Sequence, residues 1–227
     1  MRSTTVLAGA LGEGWVLAPE RHLGRPARAR GPTLGDLVRL SNDRVLPRAI
    51  EDEGYLVLDT THLKDGLIDV RSAARATAPP KSPKRRLAAG DLVVSRLRPY
   101  LRQIALVHPG AIALGGGRPL AGSTELLVLS PRREGESLAY LLPWLLSGEV
   151  QQALADAQEG GHHPRVAEDT LLGLRVGRAA ASAVAASRAV ERAISRVYDA
   201  LAELEALAPV KPGSRNGPRA KSTARQR

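Results

Sequence analysis

Ahead of residue 178 the apolar residues come in short runs between turn-formers, and beyond it they recur at helical spacing. YLVLDT (Tyr55–Thr60) is rich in strand formers, and HLKDGLIDV (His62–Val70) carries a Lys-Asp-Gly turn into a second short strand. Thr33 is placed to cap a helical turn over Leu34, Leu37 and Val38. Pro79, Pro80 and Pro83, interleaved with Lys81, Lys84, Arg85 and Arg86, predict an exposed basic loop over residues 71–89. Gly115–Gly117 mark a turn, and Thr124–Leu129 reads as a buried strand closed by Ser130-Pro131. Residues 137–158 are helical by composition, broken near Pro143 or Ser147-Gly148. Residues 160–165 form a loop, and a short element follows at Leu171–Val176. Residues 1–30 are weakly patterned, with a short strand around Val16.

The C-terminal pattern differs. Ala179–Leu207 is dominated by alanine and leucine and stopped by Pro209 and Pro212, which predicts a helix of about 40 Å. Val190, Ile194, Val197, Leu201, Leu204 and Ala208 alternate four and three apart, a heptad seam. Such a seam can pack on the parent domain or pair with a second helix, from another copy or another subunit. Ala193 and Ala200 beside it permit close approach and favour pairing. The fold class is therefore α+β, a mixed domain followed by a long C-terminal α-helix. The divisions are an N-terminal segment 1–30, a domain 31–177, a pairing helix 178–208 and a disordered basic tail 209–227.

Gly90–Val107, GDLVVSRLRPYLRQIALV, is the most informative run. In an extended chain Leu92 and Val94 share a face with Arg96 and Arg98, so one strand would be anchored in a core and end in a cationic fork. Tyr100 adds a flat ring, and Arg102 a further cation. Guanidinium groups suit phosphate oxygens and the O6/N7 edge of guanine. The plainer alternative is a solvated strand end with ordinary surface arginines.

A hydrophobic content of 43% with 25% charged residues indicates a globular chain with a real core. Absence of cysteine excludes disulfides and cysteine-ligated metals and makes a cytoplasmic setting the default. Absence of phenylalanine, with aromatics at 3%, argues against a base-stacking platform for single strands. The net charge is +10, but Lys211, Arg215, Arg219, Lys221, Arg225 and Arg227 supply six of those charges in a tail without acids. Such a tail raises general affinity for polyanions and reads no sequence. The apolar stretch near the N-terminus is interrupted by Gly9, Gly12, Glu13 and Gly14, so no signal peptide and no membrane partner are expected.

Chemistry-bearing motifs are missing. The glycines at 9, 12 and 14 lack the dinucleotide-loop order, and neither a phosphate-loop motif nor HExxH occurs. His162-His163 is the sole histidine pair, too little for a metal centre. The Asn-Pro-Pro-aromatic and Asp-Pro-Pro-aromatic tetrapeptides of amino-methylating enzymes are absent. Glu51, Asp52, Glu53, Glu168 and Asp169 read as solvated loop acids. No catalytic residue, cofactor or metal is expected.

The order of motifs is nonetheless familiar. Trp15 and Leu34-Gly35-Asp36 are followed by YLVLDT…KDGLID, GDLVVSRLRPYLRQIALV, STELLVLSP, YLLPWLLSGEVQQAL and GGHHPRVAEDTLLGLRV. Over residues 31–207 this series resembles the target-recognition domain of type I restriction-modification DNA specificity subunits. That family usually carries two such domains, each with a long helix, so this chain resembles a half subunit. Gly177-Arg178-Ala179 stands where a Pro-rich phrase is usual, and residues 1–30 and the tail have no counterpart.

The resemblance implies a non-catalytic reader of double-stranded DNA. Its helix would hold a methyltransferase subunit, and a translocase or nuclease subunit, or pair with a second copy as a homodimer. DNA contacts would come from Arg96, Arg98, Tyr100 and Arg102, with Lys84, Arg85 and Arg86 on phosphates and His162, His163 and Arg165 from the loop. Val190, Ile194, Val197, Leu201 and Leu204 would serve subunit pairing. The alternatives are a protein-interaction module, an orphan reader in another phage-defence system, and an enzyme with an unfamiliar site.

Overall fold

The computed structural model describes residues 31–75, 80–160, 164–177 and 183–207. The domain opens on a reciprocal cap. The Thr33 hydroxyl oxygen accepts from the Asp36 N–H at 3.2 Å, and the Asp36 carboxylate accepts from the Thr33 N–H at 2.8 Å, starting α1 (Leu34–Leu37). Strands β1 (Val38–Ser41) and β2 (Arg44–Val45) follow, then α2 (Pro47–Asp52), with proline at the first helical position where no N–H is needed. Beyond β3 (Leu56–Leu58), the strands β4 (Leu63–Lys64) and β5 (Leu67–Ile68) form a hairpin. Its turn residues Asp65 and Gly66 have φ of 47° and 97°, the positive pair that a type I′ turn requires.

Next come α3 (Val70–Ala74), β6 (Lys84–Leu87), β7 (Leu92–Ser95), β8 (Ile104–Leu106), α4 (Pro109–Leu114), β9 (Leu120–Gly122) and β10 (Leu126–Pro131). The chain continues through α5 (Leu141–Leu145), α6 (Gly148–Asp156), β11 (Gln158–Glu159), β12 (Arg165–Val166), α7 (Glu168–Leu172) and α8 (Ala183–Leu207). The main sheet runs β1-β10-β7-β8, antiparallel throughout, and a second sheet runs β2-β6-β9-β3 with β3 parallel to β9. Leu92, Val93 and Val94 of β7 and Leu126–Leu129 of β10 are buried on both faces, which explains why their sequences read as unbroken apolar runs. A smaller core of Val45, Ile50, Tyr55 and Ala121 is separate from this one.

The expected α+β class holds. Within residues 137–158 the helices α5 and α6 divide at Ser147, whose hydroxyl caps α6, while Pro143 sits in the first turn of α5. One local expectation is corrected. Residues 71–89 are not a loop throughout: α3 continues to Ala74, and Lys84–Leu87 forms an interior strand of the second sheet. Alternation within it turns Arg85 inward, 6% exposed, where its guanidinium donates to the Ser41 carbonyl and the Asn42 side-chain oxygen. The run before the triple glycine also contains a helix, α4, with the His108 Nδ1 accepting from the Gly110 N–H at 3.0 Å.

The long helix docks on the domain through a stripe that the seam did not reveal. Tyr198 is 2% exposed; its hydroxyl accepts from the Ile68 N–H at 2.8 Å and donates to the Ile68 carbonyl at 3.3 Å. Its ring stacks on His108 at 5.9 Å and lies against Gly110, where an added Cβ would come within 2.9 Å of the Tyr198 Cβ. Nearby, Arg71 donates to the Leu201 carbonyl and to Glu205. Ser137 donates to Glu191 at 2.6 Å, and Ser187 is buried beside Tyr140.

The pairing seam is thus corrected: its members do not share one free face. Ile194 is buried, Val190 and Leu201 pack partly against the core, and Val197 and Leu204 are 39% and 62% exposed. At about 100° per residue, the docking stripe through Ser187, Ile194 and Tyr198 is turned from the stripe through Ala193, Val197, Ala200 and Leu204. The second stripe keeps four-three-four spacing.

A pH dependence follows at His108. Burial pushes its pKa below the ordinary 6.5, while the carboxylates of Glu191 and Asp199 oppose that shift. The unfolded chain therefore takes up this proton at higher pH than the folded chain. The associated stability is present above 6.5 and is lost as pH falls through the lowered folded value. His108→Asn keeps a capping oxygen without titrating, so its Tm should fall less on acidification below about pH 6.5. An unchanged acid slope would place the titration elsewhere.

Candidate nucleic-acid interface

β7 ends at Ser95, whose hydroxyl accepts from the Leu97 N–H at 3.2 Å and donates to the Leu97 carbonyl at 3.0 Å. The strand therefore does not run on to Arg98, and the alternating fork is corrected. Arg98 has φ 44°, the left-handed region, and Arg102 has φ 53°. Between them Pro99–Leu101 forms a single tight turn in which Pro99 is buried while Tyr100 and Leu101 are 56% and 43% exposed.

Tertiary pairing gathers the arginines instead. The Arg96 N–H donates to the Glu125 carbonyl at 3.0 Å, the Val166 N–H to the Arg96 carbonyl at 2.9 Å, and the Arg98 N–H to the Pro164 carbonyl at 3.2 Å. Leu97 and Arg165 form an antiparallel bridge. Three segments, 95–98, 123–126 and 164–166, thereby meet beyond one end of the main sheet.

At their meeting point the Glu125 carboxylate binds Arg165 bidentately, Nε to Oε2 at 3.1 Å and Nη2 to Oε1 at 2.8 Å. This hydrogen bonding, with the adjoining negative charge, pushes the Arg165 pKa up. Arg96 approaches the same carboxylate, its Nε 3.8 Å from Glu125 Oε2 and buried without a hydrogen-bond partner among the described residues. Two guanidinium groups thus share one carboxylate, with Arg98 and Tyr100 exposed on the neighbouring turn.

Other expected site residues fall elsewhere. Arg102 donates to Asp65 at 2.6 Å and to the Leu146 carbonyl at 2.8 Å, fastening the hairpin turn and the end of α5 to the 99–101 turn. Arg85 is buried as described, and Arg86 donates to the Tyr55 hydroxyl with its guanidinium 5.6 Å from that ring's centre. Lys84 is half-buried, with its ammonium 3.4 Å from the Ser82 hydroxyl. His162 and His163 lie outside the described residues. Glu125 was missed because it reads in sequence as one polar residue leading into a strand.

The arginine end and the helix end are opposite. Ser95 pairs with Leu126 at one end of β7, and Leu92 pairs with Leu129 and Leu106 at the other. From that second end the chain passes to α4 and to residues 137–140, both of which contact α8. Among the described residues there is no group of three or more side chains able to hold a metal ion, and no helix long and apolar enough to cross a membrane.

No family model and no curated protein matches the sequence. Solved structures do. The HsdS subunit from Thermoanaerobacter tengcongensis is 18% identical, with 80% of this chain matched to 45% of that one at a TM-score of 0.49. A chain from a structure of complex assembly and conformational transition of the type I R-M system is 20% identical, with 86% of this chain matched to 53% of that one at a TM-score of 0.50. The chain spans about half the length of these solved chains. The second of these, at a TM-score of 0.50, shows a likeness of fold.

Proposed function

We propose that this chain, with the fold of one half of a type I restriction-modification specificity subunit, reads a short sequence in double-stranded DNA and does no chemistry itself. The observation that supports this most is the convergence of Arg96, Arg98 and Arg165 with exposed Tyr100 at one end of a rigid sheet, opposite the docked helix. Guanidinium forks on a fixed backbone suit base edges and phosphates. Arg85 leaves the contact set, because it is buried and engaged within the domain; Arg102, 42% exposed and tied to Asp65 and the Leu146 carbonyl, stays a candidate on the same footing as Arg165. Lys84 remains a phosphate candidate, and His162 and His163 remain candidates from the adjoining loop. The methyltransferase subunit, with a translocase or nuclease, would be recruited at the helix end.

The test is selection from a random-sequence duplex library with the full chain. One enriched motif is expected. Retention on heparin with no enriched motif would instead indicate a protein-interaction module with a basic surface.

The exposed stripe Ala193, Val197, Ala200 and Leu204 has the spacing of a coiled-coil seam, with alanines that let backbones approach. A second copy is the partner proposed for this stripe, because four-three-four spacing with small residues is the pattern by which like helices pair. Val197→Glu with Leu204→Glu should convert a dimer to a monomer in sedimentation while changing the domain's unfolding little, since both side chains are exposed. A wild-type chain that sediments as a monomer would assign the stripe to another subunit.

A further inference from the structure

We propose that Glu125 is a positioning residue for sequence discrimination, holding the guanidinium groups of Arg96 and Arg165 in the orientation in which this end of the sheet meets a duplex. The inference rests on the DNA-reading function above. Its basis is the placement of a carboxylate, 27% exposed, between two arginines on separate segments of a surface that would face a polyanion.

Folding alone does not require that carboxylate. Backbone hydrogen bonds already join the three segments: Arg96 to the Glu125 carbonyl, Val166 to Arg96, and Arg98 to Pro164. Partly exposed ion pairs add little to folding stability. Toward DNA, a negative charge at the interface opposes every duplex alike, because binding is dominated by phosphate neutralisation. What it supplies in return is order. Each arginine has a long, many-rotamer side chain whose immobilisation opposes binding; the bidentate carboxylate settles Arg165 before DNA arrives and holds Arg96 by charge at 3.8 Å. The two effects have opposite signs, which separates positioning from mere structural support.

The experiment measures Kd of the full chain for the duplex enriched in the selection and for a scrambled duplex of the same composition. For Glu125→Gln the scrambled duplex should bind as tightly as to wild type or tighter. The ratio between the two duplexes should fall about tenfold, as expected from releasing the hydrogen-bonded Arg165 and loosening Arg96. Glu125→Asp, which keeps the charge but shortens the reach, should leave scrambled binding at the wild-type level and still reduce the ratio. In an Arg165→Ala background Glu125→Gln should have a clearly smaller effect on the ratio, since its main partner is gone.

A wild-type ratio retained within twofold, or parallel weakening on both duplexes, would overturn the positioning role while leaving the DNA-reading function standing. Wild-type chain that does not distinguish the duplexes would remove that function and this role together. Matching thermal melts of wild type and the Asp variant keep the comparison free of folding losses.

Discussion

Tyr198→Ala should destabilise the chain by about 3–5 kcal/mol, as for other buried aromatic-to-alanine truncations. The ring is among the largest fully buried side chains, stacked on His108 and packed over Gly110, and its removal opens a cavity between α8 and α4. It also strips the Ile68 N–H of the hydroxyl that accepts from it at 2.8 Å, and an orphaned buried donor adds to the loss. Tyr198→Phe separates the contributions: it keeps the packing and removes the hydrogen bonds, for a loss of about 1–2 kcal/mol. Urea unfolding reads both. A Tyr198→Ala loss below about 1 kcal/mol would mean that the helix is not part of the cooperative unit.

Arg98→Gly should act in opposite directions on folding and on DNA binding. A non-glycine residue at φ 44° holds a sparsely populated conformation, and glycine adopts it without the Cβ penalty of about 1–2 kcal/mol, partly offset by its greater unfolded-state freedom. Folding stability should therefore stay level or rise by up to about 1 kcal/mol. Affinity for the selected duplex should fall by about 1–3 kcal/mol if the guanidinium reads a base, with relaxed preference at one position. If it contacts only phosphate, all duplexes should weaken alike and the salt dependence should become shallower. Thermal melts and salt-dependent titrations separate these outcomes. A variant that loses stability while binding DNA normally would show that Arg98 serves the fold rather than the interface. Strain retained at an exposed turn is the pattern of a functional site.

Elements governed by neighbours in the chain were legible from sequence. The Thr33 cap, the Asp65-Gly66 turn, the break at Ser147 and the apolar strands β7 and β10 all depend on local backbone preference or an unbroken apolar run. The basic segment around Lys84–Leu87 is not legible as a strand, because charge in a sequence marks exposure. An arginine can be buried when carbonyl and amide oxygens from another strand satisfy its fork, as Ser41 and Asn42 do for Arg85.

The helix shows the same division. Spacing predicts a helix over Ala179–Leu207, of which Ala183–Leu207 is helical among the described residues, and it identifies apolar residues at intervals of three and four. It gave no direction for the domain, because the docking stripe includes Ser187 and Tyr198, which an apolar count passes over. Their polar atoms meet the Tyr140 N–H and the Ile68 backbone across long sequence separations. The sequence by itself determined the class of elements, the supply of arginines around residue 96 and the presence of a long C-terminal helix. Only the tertiary structure decided which arginines stand at the surface and which are tied inward. Partners more than thirty residues away, such as Ser41 and Asn42 for the inward Arg85 and Glu125 for the surface Arg165, settle that choice by hydrogen bonding and charge pairing, and neither leaves a periodic trace along the chain.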